Sequence, residues 1–480
     1  MIQRIGYAVV VLAWAAGLAQ GRSPNIVVFL TDDQGRGDLG CYGATDIRTP
    51  NIDALADSGV RFTDYYAPSP LCAPSRAAMM TGRYPRRAGM SQFHNVSSDP
   101  YSPGLDPEET TLADLVKPLG YATAVFGKWH LGSAWEFQPN SQGFGEFFGF
   151  LGSCIDSFSH MYYASVPFFH DLWRNRDEVF EGGTHMTDLI TRETVRFIRE
   201  NRDRPFLVFV AYNAPHYPMV AHARYLEMYR DVPRRRRFHI AMLAGVDDSV
   251  GTIMQTLRDE GLTNDTFVFF SSDNGAANRS NREEGGGSNY PGREYKRSLF
   301  SGGIRVPGIV SWPGQIPAGQ VRDQLACGID VFATVADITG APLPRYRVID
   351  GQSWMPFLKD PKKSGHEAMF FEWAGQRCIR WGKWQLVVNP LIDQYIHRHN
   401  YATAEGGRYI FLVDTEADPH EHTNLARQHP EVVEKMLAMF DAWRLEVGQD
   451  PTASPMFRED EFPEGGTDIP PAARRAAGLP

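Results

Sequence analysis

Residues 25–33 read Asn-Ile-Val-Val-Phe-Leu-Thr-Asp-Asp, an apolar run that ends on two adjacent carboxylates. Ile26–Leu30 shows no alternation of apolar and polar residues, so both faces of an extended strand expect burial. The same arrangement returns further along the chain. Tyr121–Phe126 runs into Lys128 and His130, Pro205–Ala211 into Asn213 and His216, and Thr266–Phe270 into Asp273 and Asn274. Helix-like segments at Thr110–Leu119, Thr187–Glu200 and Phe238–Glu260 separate these runs. Strand–helix alternation predicts an α/β fold built on a large, mostly parallel sheet flanked by helices. Ligands of such sheets sit beyond the carboxyl ends of the strands. All four polar clusters lie at those ends, so the fold itself brings them together.

The composition is that of a globular chain. Its 480 residues are 42% hydrophobic, 12% aromatic and 22% charged, which excludes disordered, collagenous and coiled-coil classes. At about 100–200 residues per domain, the length fits one large domain with an appendage or two to three small ones. A net charge of -9 gives no general footprint for nucleic acid, so an anionic ligand needs a local cationic pocket. Arg4, the apolar run Ile5–Leu18 and small residues up to Gly21 read as a signal peptide over residues 1–21. The mature protein is therefore expected to be exported: secreted, periplasmic or lysosomal according to its source. No later stretch approaches the ~20 apolar residues of a membrane span, so stable membrane insertion is not expected. From about residue 365 the pattern changes. Ala368–Trp373, Gln376–Trp381 and Lys383–Val388, with turns at Gly375 and Gly382, form a hairpin series. Tyr409–Val413 adds another strand, and Pro430–Glu446 is an amphipathic helix. The expected organisation is a main domain over 22–360, an antiparallel α+β subdomain over 361–448 and a weakly ordered Pro/Gly-rich tail over 449–480.

Asp32, Asp33, Asp273 and Asn274 supply hard oxygen donors, which select Ca²⁺ or Mg²⁺ over Zn²⁺. The sharpest local signal is Leu71-Cys-Ala-Pro-Ser-Arg-Ala-Ala-Met-Met-Thr-Gly-Arg83. Pro74 fits the first turn of a helix, which places Cys72 at a helix N-terminus that favours an anion. Arg76 and Arg83 add positive charge, and Gly82 ends the helix. Taken alone, a small thiol ahead of a helix is as readily a buried core residue. The five cysteines leave at least one unpaired within the chain. Pairing among Cys41, Cys154, Cys327 and Cys378 stays open.

Cys72-Ala-Pro-Ser-Arg76 with Thr81-Gly-Arg83, and Arg87 beyond, resembles the signature of the formylglycine-dependent (type I, arylsulfatase-like) sulfatases of the alkaline phosphatase superfamily. The resemblance extends to Asp32-Asp33-Gln34-Gly35, Gly37–Gly40, Gly127-Lys-Trp-His-Leu-Gly132, Pro215-His-Tyr-Pro218, Ser272-Asp-Asn-Gly275, Gly302–Pro307, Asp418-Pro419 and Asn424-Leu425. It implies an alkaline-phosphatase-like catalytic domain and conversion of Cys72 to Cα-formylglycine by a maturation enzyme. The aldehyde hydrate is then the nucleophile at one Ca²⁺ bound by Asp32, Asp33, Asp273, Asn274 and the Cys72 position. Arg76 orients the hydrate, Lys128 and His130 act beside it, and His130 is the base that releases sulfate from the covalent intermediate. Lys128, His216 and Lys296 bind the sulfate, with His216 and Lys296 assisting protonation of the leaving oxygen. Lys296 lies five residues before Ser301, where the family usually has Glu, and the adjacent Arg297 competes for the inward direction.

Other features carry weaker expectations. Arg234–Arg237 is by default a solvated helix face, with guidance of a polyanionic glycan as its functional alternative. His397-Arg398-His399 offers substrate contacts, and Asp156 and His160 are candidates for lining the pocket. Asn95-Val-Ser, Asn264-Asp-Thr and Asn278-Arg-Ser are glycosylation sequons, relevant in a eukaryotic source. The leading expectation is a Ca²⁺-dependent sulfatase acting on sulfated carbohydrates. The alternatives are a phosphonate or phosphodiester hydrolase of the same superfamily and a non-catalytic glycan-binding protein on the same scaffold.

Overall fold

The computed structural model describes residues 23–90, 102–162, 168–277, 285–390, 402–403 and 409–453. A ten-stranded sheet forms its centre. From edge to edge its strands are Gln320–Arg322, Val60–Phe62, Gly308–Ser311, Thr266–Ser272, Asn25–Thr31, Phe206–Ala211, Ala122–Lys128, Glu146–Phe150, Trp173–Arg174 and Asp177–Glu178. The four runs expected from the sequence lie side by side and parallel. Val28 pairs with Phe209 and Phe269, and Phe209 pairs with Val125. The residues that follow these strands therefore emerge along one edge. Glu146–Phe150 extends the parallel set, while Gly308–Ser311 and Trp173–Arg174 join antiparallel on either side.

Every residue of Asn25–Thr31 is buried, as continuous apolar character requires. Ile26, Val28 and Leu30 enter one core with Leu207, Phe209 and Phe269; Val27 and Phe29 enter another with Val208, Val210 and Phe270. Each such side chain contributes roughly 1.5–3 kcal/mol by leaving water. Helices Met186–Glu200 and Arg234–Asp259 cover the second core through Leu189, Ile190, Ile240 and Leu243. Helices Cys72–Thr81 and Asp330–Thr339 cover the first through Met79, Met80, Val331 and Val335.

Two helices differ from the expected bounds. The long helix starts at Arg234, a turn earlier than residue 238, because Pro233 leads directly into it and Arg236 is held by Asp46 at 2.7 Å. Segment 110–119 is a short helix, Leu112–Val116, capped by Thr111 and followed by a 3₁₀ turn at Lys117–Leu119. Pro118 there removes a backbone donor and stops the α-helix.

The C-terminal unit is a second, antiparallel sheet of Ala368–Trp373, Gln376–Trp381, Trp384–Val388, Tyr409–Asp414 and Ala402–Thr403. Met369, Phe371 and Trp373 alternate inward, and Met436, Phe440 and Trp443 of helix Pro430–Gly448 pack in the same core. The first residues of the expected weak tail are tied down: Asp450 and Thr452 accept hydrogen bonds from Arg87 and Arg83. The candidate signal peptide and residues 454–480 lie outside the described residues. All five cysteines are unpaired. No described helix is long and apolar enough to cross a membrane.

Candidate active site

Asp32 and Asp33 follow the central strand, and the chain turns there with Asp33 at φ 65°. A non-glycine residue in this left-handed region stores of order 1–3 kcal/mol and persists only where its surroundings hold it. Asp33 N donates to Asp273 Oδ1 at 3.3 Å, and Asn274 Nδ2 donates to Asp33 Oδ1 at 2.7 Å. Asp273 N in turn donates to the Thr31 carbonyl at 3.1 Å. The two acidic strand ends are thus laced together. Lys128 closes its own strand, and its Nζ donates to Asp32 Oδ2 at 2.6 Å. Past the Phe206–Ala211 strand, His216 Nε2 lies 3.7 Å from Asp33 Oδ2.

Helix Cys72–Thr81 faces this edge with Cys72 as its first residue. One turn on, Arg76 Nε donates to Asp273 Oδ2 and Nη1 to the Lys128 carbonyl, both at 2.9 Å. Lys296 Nζ approaches Asp33 Oδ1 to 2.6 Å and donates to Cys72 Sγ at 3.4 Å. Lys296 is therefore the inward cation of its pair. Arg297 instead takes a left-handed φ of 78° and donates its N–H to Pro70 O at 3.0 Å.

Burial, then the adjacent Asp32 carboxylate, pushes Asp273 up to about 6. Burial acts in the same sense on Asp33, but Lys296 and His216 hold it well below the carboxylate range. Burial and the cations Lys128 and Arg76 keep the His130 imidazole well below its ordinary value. Burial and Lys296 bring His216 down to about 4. Both rings are accordingly neutral near pH 7, able to accept a proton. Burial pushes the Cys72 thiol up to about 11, which makes the unmodified thiol a poor nucleophile at neutral pH.

A divalent cation fits this donor set. Asp32 Oδ1 and Asn274 Oδ1 are buried acceptors without a hydrogen-bond partner, a condition that costs free energy unless something else binds them. Ligand atoms of Asp32, Asp33, Cys72 and His216 lie within 4.8 Å of one another. Predominantly oxygen donors suit Ca²⁺.

Several sequence candidates fall elsewhere. Arg83 adds no charge at Cys72: it turns away to Thr452 O at 2.8 Å and Glu109 at 3.5 Å. Arg87 likewise binds Asp350, Glu446 and Asp450. Asp156 caps its own turn by accepting from Ser159 N at 2.8 Å, and His160 is fully buried against Thr184 O. Arg236 is no solvated residue, because Asp38, Asp46 and Gly286 O hold it. The segment 397–399 and the sequons at Asn95 and Asn278 lie outside the described residues. Sequence reasoning missed the strained backbones of Asp33, His130 (φ 58°) and Arg297, which no periodicity encodes. It also missed Glu421, which lies between the quoted pairs Asp418-Pro419 and Asn424-Leu425.

A parallel sheet that delivers carboxylates, fixed cations and a helix N-terminus to one edge suits an α/β hydrolase of anionic esters. Residues 24–341 match the sulfatase family, and residues 292–444 match the family of the N-sulphoglucosamine sulphohydrolase C-terminal region. The chain is 39% identical to N-acetylgalactosamine-6-sulfatase of Rattus norvegicus over 359 residues, 72% of this chain and 67% of that protein. It is 34% identical to arylsulfatase A of Homo sapiens over 461 residues, 88% of each. Among solved structures it is similar to Ps i-CgsB in complex with k-i-k-neocarrahexaose, at 28% identity and a TM-score of 0.79, covering 96% of this chain and 98% of that one. The chain belongs to the sulfatase family, and its activity is sulfuric ester hydrolysis.

Proposed function

We propose that the chain is an exported sulfatase that cleaves sulfate monoesters of carbohydrates, with Cys72 matured to Cα-formylglycine beside one Ca²⁺. The observation that carries this reading is the Cys72 side chain at a helix N-terminus, 3.4 Å from Lys296 Nζ and beside carboxylates with an open acceptor. When bound, the cation polarises the ester, and the hydrated aldehyde supplies the attacking oxygen. Asp32, Asp33, Asp273 and Asn274 would hold the cation together with the residue-72 side chain. Arg76, fixed by Asp273 and the Lys128 carbonyl, orients that side chain. A sulfate ester spreads negative charge over three non-bridging oxygens, so fixed cations do most of the work. Lys128 and Lys296 supply them inside an acidic protein. His130, neutral, accepts a proton at the residue-72 side. His216 and Lys296 bind the sulfate and assist protonation of the leaving oxygen.

The carbohydrate assignment draws support from the likeness to N-acetylgalactosamine-6-sulfatase and to Ps i-CgsB in complex with k-i-k-neocarrahexaose. A cavity of ≈ 900 Å³ beside the Lys296 loop, lined by Tyr290, Tyr295, Arg236 and His420, is large enough for sugar rings, although Cys72 itself does not line it. Export rests on the leader-like residues 1–21, and maturation requires a formylglycine-generating enzyme as partner. The test compares kcat/KM on an aryl sulfate with that on the matched aryl phosphate and phosphonate monoester. The expected result is a clear preference for sulfate. Higher kcat/KM on phosphate or phosphonate selects the phosphonate or phosphodiester hydrolase reading, and glycan binding without turnover by matured protein selects a binding role.

A further inference from the structure

Lys296 stands on a loop between Arg293 and Ser301 that belongs to no helix or strand. Both ends of this loop are held by one side chain from the C-terminal unit. Glu421 follows the Tyr409–Asp414 strand and is fully buried. Its Oε2 accepts from Arg293 N and Ser301 N, both at 3.0 Å. Its Oε1 accepts from Ser301 Oγ at 3.1 Å and from Gln385 Nε2 at 2.7 Å. Arg293 Nη1 returns a bond to the Glu421 carbonyl at 3.0 Å. Gly302 N closes the loop onto Arg293 O at 2.7 Å, and a Cβ at Gly302 would lie 2.0 Å from Glu294 O. Glu421 itself adopts φ 54°, a strained conformation for a non-glycine residue.

We infer that Glu421 is a positioning residue whose carboxylate pins residues 293 and 301 so that Lys296 reaches Cys72 and Asp33. The inference rests on the sulfatase reading, in which Lys296 serves the leaving oxygen. A flexible loop would leave the lysine many positions, whereas catalysis by fixed charge needs one. The backbone amides and the Gln385 amide donate to the carboxylate; the Ser301 hydroxyl also reaches Gln385 Oε1 at 3.3 Å. The ionised acid is therefore the form that clamps. Burial pushes Glu421 up to about 7 against the pull of Arg293 and Ser301. The Arg293 guanidinium and the Cys378 thiol are the charged and titratable groups that face it. Burial and Glu421 hold the Cys378 thiol well above its ordinary value. Below about pH 7 the carboxyl gains a proton and the clamp loosens.

Wild type, Glu421→Gln and Ser301→Ala are to be assayed with 4-nitrophenyl sulfate and with phenyl sulfate, whose leaving oxygen is more basic. Thermal melting checks folding. For Glu421→Gln the expected loss of kcat/KM is ~10-fold on the nitrophenyl ester and ~100-fold on the phenyl ester, because the poorer leaving group depends more on a placed proton donor. Ser301→Ala, which keeps the carboxylate and removes one donor, loses ~3-fold with the same order of substrates. It carries the test alone if the glutamine variant does not fold. The positioning role is overturned by a folded variant that keeps wild-type rates, or by one whose loss is equal on both esters. A matured wild type that hydrolyses neither ester nor a sulfated oligosaccharide overturns the sulfatase reading instead.

Discussion

The helix Cys72–Thr81 has buried arginines at both ends, and the two ends do opposite things. At the first, Arg76 binds Asp273 and the Lys128 carbonyl, and Asp32 Oδ1 and Asn274 Oδ1 remain open nearby. Past the second, Arg87 is enclosed by Asp350 at 3.0 Å and by Asp450 and Glu446 at 2.6 Å. Beside it Arg83 and Arg347 face the Glu109 oxygens at 3.5 and 3.7 Å. Arg76, Arg83 and Arg87 are all exposed by 1% or less. Buried charge therefore does not mark a site by itself. Acids face cations at both ends, and Glu109 at the second also has oxygens without a hydrogen-bond partner. What separates the ends is that, among the described residues, only at the first do ligand atoms of several residue types, Asp32, Asp33, Cys72 and His216, gather within 4.8 Å, as a cation requires.

The largest effect that separates the two ends is expected from Cys72→Ala. Turnover falls by ~10⁴-fold or more, as for removal of a nucleophile, while the thermal midpoint stays at that of wild type. Substantial residual activity would break the comparison at its first end. Arg87→Ala is expected to do the reverse. Leaving Asp350 and Asp450 buried without their partner costs about 3–5 kcal/mol of stability, measured by denaturant unfolding, with kcat per folded molecule unchanged. A reduced kcat in fully folded Arg87→Ala would move that arginine into the catalytic machinery. The smallest effect concerns Glu109, which burial raises from 4.5 to about 7. The folded state keeps this proton up to about pH 7, whereas the unfolded chain releases it near 4.5. Its contribution is therefore full below pH 4.5 and declines as pH rises to 7, by at most about 3 kcal/mol. Glu109→Gln removes that slope. Unfolding curves at pH 5 and 7.5 are expected to show wild type losing more stability than the variant, and equal losses would place the proton elsewhere.

Much of the first end was legible because its signals are local. Continuous apolar strands followed by Asp32-Asp33, Lys128, His216 and Asp273-Asn274 announce their own convergence once the sheet is parallel. Cys72-Ala-Pro-Ser-Arg76 announces a helix start. The second end was not legible, because Arg83, Glu109, Asp350 and Asp450 are scattered along the chain and meet only through tertiary packing. Arg83 lies within the signature stretch, which suggests a place beside the anion; the turn at Gly82, φ 70°, sends it the other way. Arg236 was hidden in a run of like charges whose average position is solvent. Glu421 carries no periodic or motif-based sign that a carboxylate from the small sheet holds the loop of Lys296.

The central claim is that residue 72 acts as formylglycine and not as cysteine. The direct measurement is mass spectrometry of the peptide containing residue 72, taken from natively produced, active protein. Replacement of –CH₂SH by –CHO predicts a mass about 18 Da below that of the cysteine peptide, with activity proportional to the converted fraction. An active protein whose residue-72 peptide keeps the full thiol mass would contradict the account.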